Sequence, residues 1–153
     1  MTASARPADV RQLWAQIAQG MQQDLQGYES LRGLLRQQFH AALRHDAQAM
    51  QDVASQIAAC AQTLQASSRV RVALAQQLLP AGVSVSMRTL FAQLKGPLQQ
   101  QLLRLWERLE QLVQQCQADN VRNCGLIMEQ AQLMRQVLTG QSESESAGVY
   151  GPG

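Results

Sequence analysis

The amino-acid sequence predicts an all-α fold: an antiparallel bundle of three long helices plus one short helix, followed by a disordered C-terminal tail. Apolar residues recur in steps of three and four along three long stretches, the spacing of one helical face. Four prolines in 153 residues leave those stretches almost unbroken, and no alternating β-branched and aromatic run extends beyond a few positions. The abundant glutamines fall between the apolar positions, where a long uncharged helix former suits a solvated face rather than a low-complexity tract.

Residues 1–7 read as a frayed lead-in, with Pro7 suited to a first helical turn. The first helix is expected over about 8–44, with Val10, Trp14, Ile17, Met21, Leu25, Tyr28, Leu31, Leu35, Phe39 and Leu43 forming its stripe. Gly20, Gly27 and Gly33 either weaken this helix, by up to about 1 kcal/mol each relative to Ala, or let a neighbour approach closely. His45 and Asp46 mark a turn, and Asp46 is a good N-cap for a second helix carrying Met50, Val53, Ile57, Cys60 and Leu64. Ser67, Ser68, Arg69 and Arg71 then interrupt the stripe before Leu74 and Leu78 resume it. Such a polar patch suggests a bend or a solvated segment, with Arg69 and Arg71 as candidates for partner contact.

Pro80 ends the second helix, because the residue before a proline is disfavoured in helical geometry. Ser84 or Ser86 is placed to cap a short helix over about 87–95, and the Gly96–Pro97 pair predicts a break with Pro97 opening the next helix. That last helix, 97–139, organises the chain. Its apolar line runs through Leu98, Leu102, Leu105, Leu109, Leu112 and Cys116, then through Asn120, Asn123, Ile127, Ala131, Met134 and Leu138. The steps alternate as a heptad up to Cys116 and lengthen beyond it, which relaxes a left-handed supercoil. Gly140 is placed as a left-handed C-cap. The helical domain is therefore expected over 1–140. The tail over 141–153 is rich in Ser, Glu and Gly and too poor in apolar side chains to offset its ordering entropy.

Composition narrows the function. A formal charge of +2, carried mostly by scattered arginines with acids between them, offers no basic stripe for nucleic acid. No window approaches the ~18 apolar residues of a membrane helix, and residues 1–9 show neither a signal h-region nor a lipidation motif. A cytoplasmic location without an integral membrane segment is expected. Cys60, Cys116 and Cys124 lie at or beside apolar helical positions and lack C-x-x-C spacing, so they read as small packed side chains. Neither they nor His40 and His45 have metal-ligand spacing, and no nucleophile–base pair or phosphate-binding glycine loop is present. A non-enzymatic protein without cofactor or metal is expected.

The last helix is the longest, so one end of its stripe lacks a full-length neighbour unless the segment between the second and last helices folds back over it. Its C-terminal half, where asparagines dilute the stripe, is the candidate. Exposed Ile127, Leu133, Met134 and Leu138 would there form an apolar face that receives a partner helix. Asn120 and Asn123 have two readings of equal weight. Each either fixes the register of the bundle at some cost in stability or offers its amide to an incoming chain. A buried amide without partners costs roughly 1–3 kcal/mol, so both readings require partners.

The run Asn120-Val121-Arg122-Asn123-Cys124-Gly125-Leu126-Ile127 resembles the N-x-x-N-G-x-L-[LI] element of the FlgN family, export chaperones of the flagellar type III secretion system. The terminal Val149-Tyr150-Gly151-Pro152-Gly153 is similar to the family's tail element, and Glu29 fits a glutamate midway along its first helix. The family's glycine after the second asparagine is replaced here by Cys124, with Gly125 one place on. The resemblance implies a chaperone that binds the C-terminal helical segments of hook–filament junction proteins, prevents their premature assembly and delivers them to the export gate. It places Asn120, Asn123, Leu126 and Ile127 in the substrate-binding helix, and Tyr150 as the contact with the cytoplasmic domain of the gate. The alternative is a structural coiled-coil protein that self-associates through the same stripe.

Overall fold

The computed structural model describes the backbone of residues 7–150 and the side chains of residues 9–140. Four helices follow in order: α1 (Pro7–Leu43), α2 (Ala47–Leu78), α3 (Met87–Phe91) and α4 (Pro97–Tyr150). The described residues contain no strand.

Local chemistry sets each boundary. His45 takes a left-handed conformation (φ 54°) between α1 and α2, and Asp46 caps α2 by accepting from the Ala49 backbone N–H at 3.0 Å. Ser86 caps α3 through the Thr89 N–H. α3 is shorter than the expected 87–95. After Phe91 the chain tightens into three-residue turns, Gln93 N–H to Leu90 C=O and Leu94 N–H to Phe91 C=O, and then leaves helical geometry. Gly96 is left-handed (φ 77°), which supplies the break from which Pro97 starts α4.

The direction of the helices follows from their polar contacts. α1 and α2 are antiparallel across the turn at 44–46. α4 meets α1 through Cys116 to Tyr28, Asn123 to Leu35 and Gln130 to Ala42, each pair separated by 88 residues in sequence. A constant offset means that α1 and α4 run parallel, with α2 opposite to both. α1 is the central helix, because α2 and α4 both pack along it while, among the described residues, no Cα of α2 lies within 8 Å of one in α4.

The core is concentrated where α3 closes the bundle. Trp14, Ile17, Met21, Ala75, Leu79, Met87, Leu90, Phe91, Leu102 and Leu109 form one buried cluster from all four helices. Phe91 lies between Trp14 and Trp106, with ring centroids 6.1 and 6.3 Å away. The expected core half of the last helix is therefore in place: Leu102, Leu109 and Leu112 are buried and Leu105 packs against the cluster. Of the three α1 glycines, only Gly27 admits a close neighbour. A Cβ there would lie 2.8 Å from Leu64 Cδ2, whereas Gly20 and Gly33 face open space.

Two expectations need correction. The polar patch at 67–71 produces no break in α2, and Arg71 is not solvated. Its guanidinium forms a buried ion pair with Asp24 of α1 and lies over the Trp106 ring of α4, 5.5 Å from the centroid. A partner 47 residues away in sequence thus turns the arginine inward. Arg69 is exposed.

Nor does α4 stop at Gly140. Its backbone continues as helix to Tyr150. Among the described residues the left-handed glycines are Gly82 and Gly96, so Gly140 keeps helical geometry. A glycine inside a helix costs about 1 kcal/mol relative to Ala but does not end it, and no proline follows until Pro152. The tail expectation otherwise falls on side chains beyond 140, and on residues 151–153, that lie outside the described residues.

The Asp24–Arg71 pair joins all three long helices away from water. Asp24→Ala should therefore destabilise the fold by about 3–5 kcal/mol, because it leaves a buried cation without its partner. Asp24→Ala combined with Arg71→Met should recover most of that loss. Urea denaturation measures both, and an Asp24→Ala midpoint equal to that of the parent would show that the pair does not hold the helices.

Candidate partner-binding site

At ~1.5 Å per residue, the 54 residues of α4 span roughly 80 Å, against about 55 Å for the 37 residues of α1. The two helices are joined by three polar contacts seven residues apart on each. The Cys116 thiol donates to the Tyr28 carbonyl at 3.6 Å, the Asn123 amide to the Leu35 carbonyl at 2.7 Å, and the Gln130 amide to the Ala42 carbonyl at 2.8 Å. Equal seven-residue steps are the repeat of a parallel coiled-coil seam. Ala42 is next to the last residue of α1, so Gln130 is the last of these pegs. All ten residues from 131 to 140 are exposed.

The two asparagines separate at this seam. Asn123 is fully buried, and its amide donates to both the Leu35 carbonyl and Gln38 Oε1, the latter at 2.9 Å. Its oxygen accepts from Arg122 Nε and Nη2 at 3.3 and 3.2 Å. Arg122 in turn lies over the Phe39 ring of α1, 4.1 Å from the centroid. The amide is thus satisfied internally, as the register-fixing reading requires. Asn120 is exposed, with its oxygen 3.8 Å from the Cys124 thiol.

The other positions expected to contact a partner form a gradient along α4. Leu126 and Ile127 are half-buried beside the end of α1. Leu133, Met134 and Leu138 are 57–60% exposed, beyond its reach. Val137, 59% exposed, completes this face and was not among the residues expected there. Its place four residues after Leu133 was the available signal. Val121 and Met128 are also exposed but occupy a separate line, with Met128 about 140° around the helix from Asn123. The side chain of Tyr150 lies outside the described residues.

The mid-bundle thiols are held out of water. Burial, and then the nearby Asp119, raise the Cys116 thiol from an ordinary 9.0 to about 11. Burial also raises Cys60, whose thiol donates to the Gly27 carbonyl at 3.4 Å. Tyr28 is raised by burial and then by Asp24. These groups stay neutral and pack, as small apolar side chains do.

The chain matches the family model described as FlgN protein over residues 13–153, nearly its whole length. No curated protein and no solved structure matches it.

Asn123→Ala should cost about 1–3 kcal/mol of stability by removing the donor to a buried carbonyl. Thermal or urea unfolding measures it, and unchanged stability would return Asn123 to the partner-contact reading. The raised thiol also sets a pH dependence. The folded chain holds the Cys116 proton more tightly than the unfolded chain, so unfolding releases a proton between about pH 9 and 11. Its contribution is complete below pH 9 and is lost as pH rises through about 11. The denaturation midpoint should fall over that window, and less steeply in Cys116→Ala. Equal midpoints at either end would contradict the burial of the thiol.

Proposed function

Because the chain belongs to the FlgN family of flagellar export chaperones, we propose that it captures the C-terminal helical segments of hook–filament junction proteins on the free end of α4. The observation that carries this reading is the apolar face of Leu133, Met134, Val137 and Leu138, which continues the α1–α4 seam past the end of α1. Taking such a side chain out of water contributes about 1.5–3 kcal/mol when complete. A helix laid on this face would therefore hide its own apolar stripe together with that of α4, which is what keeping polymerising proteins apart requires.

Leu126 and Ile127 continue the contact onto the base of the free end, and Asn120 borders it with an exposed amide. Asn123 serves the site from behind, by fixing where α4 leaves α1. Tyr150 contacts the cytoplasmic domain of the export gate, so that one helix carries cargo and delivers it. The chaperone works in the cytoplasm and needs no cofactor. No helix among the described residues is long and apolar enough to cross a membrane.

The test is capture, by the full chain, of a synthetic peptide spanning the C-terminal helical segment of a junction protein. Met134→Glu and Leu138→Glu should each weaken capture at least about tenfold with unchanged unfolding midpoints, since both side chains are exposed in the free chain. Tyr150→Ala should leave capture intact and reduce binding to the gate's cytoplasmic domain. Undiminished capture by both glutamate variants would place the cargo elsewhere. Concentration-dependent dimerisation lost in the same variants would favour self-association.

A further inference from the structure

α2 and α4 pack along α1 without meeting, so the three long helices leave one corner of a four-helix bundle open. α3 fills that corner at one end, where it touches both α2 and α4. Beyond it, among the described residues, no element lies between α2 and α4. The corner begins as a cleft of about 410 Å³, with Tyr28 of α1 as its floor. Arg71 of α2 borders it on one side, and Trp106, Val113 and Gln117 of α4 on the other. Steps of seven carry these α4 residues along one helical face. Val113 leads to Asn120, Ile127 and Met134, and Gln117 leads to Cys124, Ala131 and Leu138. The corner therefore opens onto the exposed apolar end of α4, where Met134 and Leu138 stand in water.

The α2 wall is identified by its opposite edge. Val70 borders a separate groove against Gln16 and Gln23 of α1. Ala61 lies about 180° around α2 from Val70, and it faces the corner with half-buried Ile57. Charge distinguishes this corner from the other flank of the α1–α4 seam. α2 has no charged residue between Asp52 and Arg69, and the two α4 lines carry none from Val113 to Leu138. On the other flank Arg108, about 160° around α4 from Trp106, pairs with Glu29 at 3.0 Å, and Arg122 lies beside Asp119. A helix that extends beyond the free end along α4 cannot enter the seam, which α1 occupies. The charged flank would have to give up water from ion-paired side chains, a penalty the neutral corner does not impose. We infer that the bound helix runs from the free end of α4 into the open corner between α2 and α4, turns a neutral, largely apolar face to it, and completes a four-helix bundle. It stops against Trp106 and α3, which sets its length: Leu138 to Val113 spans about 38 Å, or about 25 helical residues. This inference rests on the cargo reading above and adds α2 to the binding surface.

The probe is the junction-protein peptide, added to the full chain. Ala61 is exposed on the corner wall, whereas Gln115 is exposed on the charged flank of α4. Ala61→Glu and Ala61→Arg should each weaken capture at least about tenfold, with the unfolding midpoint of the parent, while Gln115→Glu leaves capture unchanged. Loss with only one sign of charge at Ala61 overturns the neutral face, and full capture by both Ala61 variants overturns the corner. A second measurement does not depend on affinity. A photo-cross-linking side chain in place of Ala61 should join the peptide, and one in place of Gln115 should not. Cross-linking at Gln115 as strong as at Ala61, or a second copy of the chain trapped at Ala61, overturns the corner as the site of the bound helix. The cargo reading survives these outcomes as long as Met134→Glu weakens capture. A peptide that does not bind the parent chain removes the cargo reading and this inference together.

Discussion

The structure depends on the seam between α1 and α4, fixed by three side chains of α4 that donate to carbonyls of α1 at heptad intervals. Hydrophobic packing alone leaves a long helix free to slip along its neighbour, because one apolar turn resembles the next. A buried amide does not tolerate slippage. Asn123 shifted by a turn would lose the Leu35 carbonyl and Gln38 while remaining in an apolar seam, at a cost of roughly 1–3 kcal/mol. The cluster around Phe91 closes one end of the bundle and the polar pegs set the register towards the other. Together they determine how much of α4 extends past α1.

That extension leaves part of the same apolar face in water. The same face that buries Leu102, Leu109 and Leu112 against α1 presents Met134, Val137 and Leu138 to water once α1 has ended. A domain of this size would ordinarily cover such a stripe, and leaving it open requires the covered portion to hold the fold unaided. The Asp24–Arg71 pair and the aromatic group around Phe91 lie in that covered portion. The covered and the exposed parts of this face thus lie at opposite ends of one helix, with Asn123 and Gln130 at the border.

The helices, their caps and the exposed end were legible in the sequence because each is local. Helical periodicity, Asp46 and Ser86 ahead of their helices, and Gly96–Pro97 need no knowledge of the rest of the chain. What was not legible depends on partners distant in sequence. Asn120 and Asn123 share the apolar line, and only the parallel register with Leu35 and Gln38 decides which one is buried. Arg71 reads as a surface break until Asp24 comes to face it. Gly140 has the place of a C-cap, but a glycine ends a helix only by turning left-handed, and here it does not. The FlgN resemblance was visible in the run from Asn120 to Ile127. It did not show that Asn123 is buried against α1 while Asn120 is exposed.

The central claim is that the end of α4 beyond Gln130 receives the partner, while the seam before it belongs to the fold. Amide hydrogen exchange along the full chain, with and without a peptide from the C-terminal segment of a junction protein, tests it most directly. Exchange should be slow from Leu102 to Asn123 in both states. Across 131–140 it should be fast in the free chain and become slow when the peptide is bound. Protection appearing instead along α2, or no change across 131–140 at saturating peptide, would contradict it.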